Sequence, residues 1–221
     1  PIYRQYHHEQ LVHTIDYAFS ENFVLVLSHD EVVYGKGSMV EKAPGGIEDR
    51  YGEVKALYTY QFTHPGKKLS FMGNEIGQFR EWAEYREQDF DVLSGFPMHQ
   101  MFTRFCRDVN LTYASHKSLC EGEYNRDCFR YVIDDRTEDL VYAFERKAGG
   151  EHILTVFNFG DRSFEDYEVR LSGNHTLREL INTDASIYGG EGPADMQIIP
   201  VRNGRCYMRL AAYSGRLFVV D

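Results

Sequence analysis

The apolar residues of this chain recur at helical spacing through its first half and alternate with a period of two from about Phe129 onward. No other feature limits the fold as much. A stripe repeating every 3.6 residues buries one side of a helix, an alternating run buries one face of a strand, and neither pattern serves the other element. An α/β part is therefore expected first and an all-β part after it. The boundary is expected near Gly122 to Asn125, which makes residues 1–122 and 123–221 the two domains.

In the first part, Leu11, Val12, Ile15, Ala18 and Phe19 predict a helix that ends before the apolar run Phe23 to Leu27. After a polar loop through Gly45-Gly46, residues Tyr51, Val54, Leu57, Tyr58 and Phe62 mark a second helix, stopped by Pro65-Gly66. Lys68 to Gly73 then reads as a short buried strand. Strand, helix, strand is a parallel crossover unit. Met98, Met101, Phe102, Phe105 and Val109 give one more helix behind Pro97, a residue suited to a first helical turn. In the second part, seven alternating runs predict an antiparallel β-sandwich: Phe129 to Ile133, Leu140 to Glu145, Ile153 to Phe159, Tyr167 to Leu171, Thr176 to Ile181, Cys206 to Leu210 and Arg216 to Val220.

Two parallel strands present their carboxyl ends on the same side, and ligands of α/β folds sit there. Ser28-His29-Asp30 follows the first strand and Gly73-Asn74-Glu75 the second, so His29, Asp30, Asn74 and Glu75 are expected on one rim. On spacing alone, His29 and Asp30 serve either a substrate or the backbone amides of their own loop, as Asp often does. Asn74 and Glu75 either line the rim or hold its loops. Trp82, the only tryptophan, is placed to stack on a sugar face or to pack in the core.

Charge and cysteine usage exclude other classes. The net charge of -10 repels the phosphates of nucleic acid and anionic lipid, and a neutral ligand is indifferent to it. No apolar run approaches the roughly 18 residues of a membrane span, and no secretory signal opens the chain. The four cysteines form no C-x-x-C pair, which fits neither a zinc knuckle nor a disulfide framework and points to the reducing cytoplasm. Neither a cofactor nor a metal is expected. Gly35-Lys36-Gly37-Ser38 lacks the rest of a phosphate loop, and His8-Glu9 with His13 has one residue too many for H-E-x-x-H, placing the histidines about 140° apart on a helix. No Gly-x-Ser-x-Gly elbow occurs. The chain begins at Pro1 without an initiator Met, which is read as the mark of a partial chain.

The stretches LSHDEVVYGKGS, PGKKLSFMGNEIGQFREW and PIYRQYHH resemble the bacterial 1,4-α-glucan branching enzymes of the α-amylase superfamily, and LINTDASIYGG resembles their terminal β-domain. A His-Asp pair is common to many α-amylase relatives. Its continuation Glu31-Val32-Val33 with Gly35-Lys36-Gly37-Ser38 is characteristic of branching enzymes. The resemblance implies the last two βα units of a TIM (β/α)8 barrel followed by the β-domain, and eight strands cannot close from two. It further implies a retaining double displacement by an aspartate nucleophile and a glutamate acid, both upstream of Pro1. The chain by itself is then expected to be inactive, with the missing part of the barrel as its partner and glycogen or another α-1,4-glucan as substrate.

In such enzymes the pair matching His29 and Asp30 binds hydroxyls of the distorted sugar, through contacts that strengthen as charge develops on the ring. Glu75, Asn74, Trp82 and Tyr34 are the candidate substrate-binding residues. Two positions depart from the family: Val26 stands where Pro is typical, and Tyr34 where bacterial members often have His. These departures bear on glucan-chain selection. A non-catalytic glucan-binding or structural module and an α-amylase-type hydrolase are the alternatives.

Overall fold

The computed structural model describes residues 3–221, so the Pro1-Ile2 start of PIYRQYHH lies outside the described residues. Helix α1 (Glu9–Ala18) leads into β1 (Val24–Leu27), the one-turn α2 (Met39–Lys42), α3 (Ile47–Thr63) and β2 (Lys67–Ser70). Strands β1 and β2 pair in parallel, from Val24 opposite Lys67 to Leu27 opposite Ser70. The crossover expected from the sequence is therefore present, with α3 as its helix. The Gln61 amide of α3 fixes it by donating to Leu25 O and Leu69 O, 3.0 Å each. Local chemistry sets the ends of the helices. Ser38 and Glu41 cap α2 reciprocally, and the Asp49 carboxylate accepts the Gly46 N–H at the start of α3. Pro65 stops α3 because it cannot continue a helix.

The second strand differs from expectation in two ways. It ends at Ser70 and not at Gly73, because Gly73 adopts φ +90°, a conformation that turns the chain out of the strand. Nor is it buried, since Leu69 is 42% exposed and its neighbour Val26 50%. The helices cover only the face that carries Leu25 and Leu27, and among the described residues no element covers the other.

Short α4 (Val92–Gly95), α5 (Pro97–Ser115) and α6 (Lys117–Cys120) complete the helical part. Helices then give way to strands: β3 (Phe129–Ile133), β4 (Val141–Ala148), β5 (Glu151–Asn158), β6 (Phe164–Arg170), β7 (His175–Asn182), β8 (Ile198–Val201), β9 (Arg205–Leu210) and β10 (Ser214–Val220). Six of them form an antiparallel sheet in the order β3-β4-β5-β10-β7-β8, and β6 pairs with β9 as a separate ribbon. Alternation decides which side each residue serves. Val141, Ala143, Phe218 and Val220 meet Val169, Met208 and Leu210 of the ribbon. Leu217 and Val219 point the other way and pack with Val54, Phe62, Phe105 and Val109 of the helices. The sheet is thus a layer between helices and ribbon, and the helical and β parts share one core.

Buried polar groups join the same layers. Lys55 of α3 donates to Tyr188 O at 2.9 Å, and Arg146 of β4 donates to Thr63 O at 2.9 Å. Glu123, between α6 and β3, accepts from Tyr113 at 2.6 Å and from Lys68 at 3.2 Å. Each contact supplies a partner that a buried polar group requires.

Candidate functional site

At the carboxyl end of β1 the chain leaves the sheet through a single 3-10 turn, His29–Glu31. Ser28 caps it, its hydroxyl accepting the Asp30 N–H at 3.3 Å. That bond bears on the choice left open by the sequence. The loop is capped by Ser28, and among the described residues the Asp30 carboxylate accepts no backbone N–H. Instead Asp30 Oδ1 lies 3.3 Å from His29 Nε2, and both side chains remain open to solvent, 70% and 53% exposed. The backbone beneath them is braced from the following loop and from α2: Lys36 Nζ donates to Asp30 O at 2.5 Å, and Lys42 Nζ of α2 to Glu31 O and, at 3.2 Å, to the Glu31 carboxylate.

The second strand brings its own turn to the same side. Phe71 N–H donates to Leu27 O at 2.9 Å, and the buried Asn74 adds its side-chain amide to that carbonyl at 3.3 Å. Tyr58 O–H donates to Asn74 O at 3.2 Å. The Glu75 carboxylate turns back to accept the Gly73 N–H at 2.9 Å. Asn74 therefore ties the second turn to the end of β1, while one oxygen of the exposed Glu75 carboxylate braces its own turn.

Aromatic rings extend the rim. The Phe71 ring is 5.9 Å from that of His29 and 5.2 Å from that of Trp82, so Phe71 links the pair to the tryptophan. Trp82 N–H donates to Val32 O at 3.0 Å, and Glu81 Oε1 accepts the Gly37 N–H at 2.7 Å, which pins the two loops side by side. Tyr34, at φ +61°, is 91% exposed. Tyr34 and Trp82 face an open cleft of about 470 Å³ that also takes in Val33, Tyr85 and Arg86. All six residues singled out from the sequence thus lie on one rim: His29, Asp30, Tyr34 and Glu75 are exposed, Trp82 is half-buried against the core, and Asn74 is buried as a brace.

The residue pattern placed Ser28 at the strand end but left its capping role unread, although its place before a polar turn is a recognisable cap signal. It also missed Tyr85 and the Arg80–Asp89 ion pair, closest approach 2.6 Å, that ties the loop carrying Tyr85. No local pattern marks either of these. Among the described residues no group of three His, Cys, Asp or Glu side chains is arranged to hold a metal. His8 is buried at the start of α1, while His13 is exposed beside Asp16 at 3.0 Å.

Residues 131–219 match the family described as the alpha amylase, C-terminal all-beta domain. The chain is 44% identical over 198 residues to the 1,4-alpha-glucan branching enzyme GlgB of Aquifex aeolicus, covering 89% of this chain and 31% of that protein. To GlgB 1 of Rhizobium etli, another 1,4-alpha-glucan branching enzyme, it is 42% identical over 193 residues, covering 87% of this chain and 26% of that protein. The chain therefore spans less than a third of the length of these relatives. About a tenth of the chain lies outside the first of these matches, so the match includes the rim at residues 28–86 wherever it begins. Among solved structures, a trehalulose synthase mutant in complex with Tris superimposes with a TM-score of 0.60 at 17% identity, over 95% of this chain and 46% of that one. At such low identity the likeness concerns the fold alone.

Proposed function

We propose that the chain is the carboxyl-terminal part of a 1,4-α-glucan branching enzyme and acts within it, a reading supported by its 42–44% identity to GlgB enzymes and by the match of residues 131–219 to the alpha amylase C-terminal all-beta domain. The enzyme cleaves α-1,4-glucan and transfers the released chain to a 6-hydroxyl by a retaining double displacement. Residues 1–122 are the end of its (β/α)8 barrel and residues 123–221 its terminal β-domain. The aspartate nucleophile and glutamate acid come from other barrel strands, in the length of the relatives that this chain does not span. The open face of Val26 and Leu69 is where those strands would pack. The setting is the cytoplasm, where glycogen is the natural substrate.

Within this mechanism His29 and Asp30 hold hydroxyls of the sugar at the scissile bond. A carboxylate accepts from two hydroxyls and an imidazole N–H donates, so the pair grips a polar ring from two sides. The grip strengthens as positive charge develops on that ring, which is what lowers a barrier. The observation that carries the proposal is the free Asp30 carboxylate beside His29 at the end of a parallel strand, with Ser28 doing the capping. Tyr34 and Trp82 are glucan contacts, and Asn74 and Glu75 keep the rim in shape.

Branching and hydrolysis differ in the acceptor, a sugar 6-hydroxyl or water. Amylose incubated with an enzyme containing these residues distinguishes the two when α-1,6 linkages and reducing ends are counted by NMR. New α-1,6 linkages at nearly constant reducing ends are expected. Reducing ends that accumulate without α-1,6 linkages would instead identify an α-amylase-type hydrolase.

A further inference from the structure

Tyr85 is 79% exposed, yet the loop that carries it is fixed at several points. The Arg80 guanidinium clasps Asp89, Trp82 N–H donates to Val32 O at 3.0 Å, and the Arg86 N–H closes a turn on Ala83 O at 3.1 Å. The Arg86 guanidinium covers one face of the Tyr85 ring, 5.6 Å from its centroid, and so helps hold the ring outward. A single exposed aromatic needs no explanation. Here Tyr34, Trp82 and Tyr85 gather on one cleft whose walls are tied together by the Glu81 bond to Gly37 N–H.

The charges around the cleft narrow its ligand. Arg80 and Arg86 are matched by Glu81 and Glu84, so the lining is electrically balanced. Such a surface does not select a phosphate or a polyanion, and the chain's overall charge of -10 opposes both. Flat rings on a balanced, hydrogen-bonding surface fit an uncharged molecule with apolar faces and a polar edge, which is the character of a glucose unit. We propose that Tyr85, braced by Arg86, is a stacking platform for an α-1,4-glucan chain beyond the sugar held by His29 and Asp30. It works with Tyr34 and Trp82 and sets how firmly longer chains are held. The assignment rests on the glucan-processing role of the rim and adds a specificity-determining residue to it.

Trp82 is the only tryptophan of the chain, so its emission reports on this cleft directly. Maltoheptaose titrated into the 221-residue chain is expected to change that emission saturably. Tyr85→Ala should weaken binding about tenfold, which is roughly 1.4 kcal/mol, and Tyr85→Phe should bind within about twofold of the parent because the ring face is kept. The exposure of Tyr85 makes a folding defect from either change unexpected, and equal thermal midpoints would confirm it. Unchanged binding by Tyr85→Ala, or no response of Trp82 to maltoheptaose, would overturn the platform. In an enzyme containing these residues, Tyr85→Ala should raise KM for amylose and spare kcat. A loss of kcat on Asp30→Asn together with an unaltered KM for Tyr85→Ala would remove the platform and leave the His29–Asp30 role standing. A kcat unaffected by Asp30→Asn would remove the role on which the platform rests.

Discussion

His64 closes α3 and is almost wholly buried, with Nδ1 2.9 Å from Pro65 O and Nε2 2.9 Å from the Thr14 hydroxyl of α1. Burial, the largest cause, pushes its pKa down from 6.5 to about 4, and the nearby Lys68 and Arg146 add to the effect. The folded state therefore refuses a proton that the unfolded chain accepts. Stability from this group is fully present above pH 6.5 and is lost as the pH falls toward 4, by roughly 3 kcal/mol. Urea unfolding between pH 7 and 4 is expected to show that loss, and His64→Gln should flatten it. An equal acid slope in the variant would assign the effect to other groups. Single residues of this kind are not legible in a sequence. His64 stands next to a proline, a position that reads as a helix stop, and its burial depends on Thr14 of α1 and on Phe129 and Phe144 of the sheet.

Strand β10 shows how elements became legible. All seven of its residues are buried because helices cover one face and the ribbon the other, yet its apolar run is strong enough to be read as a strand. Strand β3 falls at Phe129–Ile133 as the alternation indicates. Strand β8 went unread because Pro200 interrupts its pattern, and it is tolerated because β8 lies at the edge of the sheet. Asn203-Gly204, both at positive φ, then turns the chain toward β9. The role of β10 leads to a test of the shared core. Leu217 is fully buried among helical residues, so Leu217→Ala should cost about 3 kcal/mol and lower one cooperative thermal transition. Two separate transitions would show that the helical and β parts are stabilised independently.

At the scale of the whole molecule, the layered core leaves one rim, at the carboxyl ends of β1 and β2, where exposed polar and aromatic side chains collect. Its position followed from parallel pairing, which the sequence pattern implied through strand, helix and strand. What the pattern could not supply was the division of labour on the rim. Ser28 rather than Asp30 caps the turn, the Asn74 amide is spent on Leu27 O and one Glu75 oxygen on Gly73 N–H, and Tyr85 is brought beside Tyr34 by bonds between loops more than forty residues apart. Such long-range bonds have no sequence signature.

In the proposed enzyme the His29–Asp30 pair stabilises a transition state and is not a loop brace. Asp30→Asn separates these roles, because it keeps the side-chain shape but replaces a charged acceptor with an amide that must present one donor edge. The measurement is branching turnover on amylose, taken with the thermal midpoint, for an enzyme containing these residues. Turnover is expected to fall roughly 10²- to 10³-fold, equivalent to about 3 to 4 kcal/mol of lost transition-state stabilisation, with the midpoint unchanged. Near-parental turnover, or a loss that tracks a lowered midpoint, would contradict the claim and leave the pair as part of the loop.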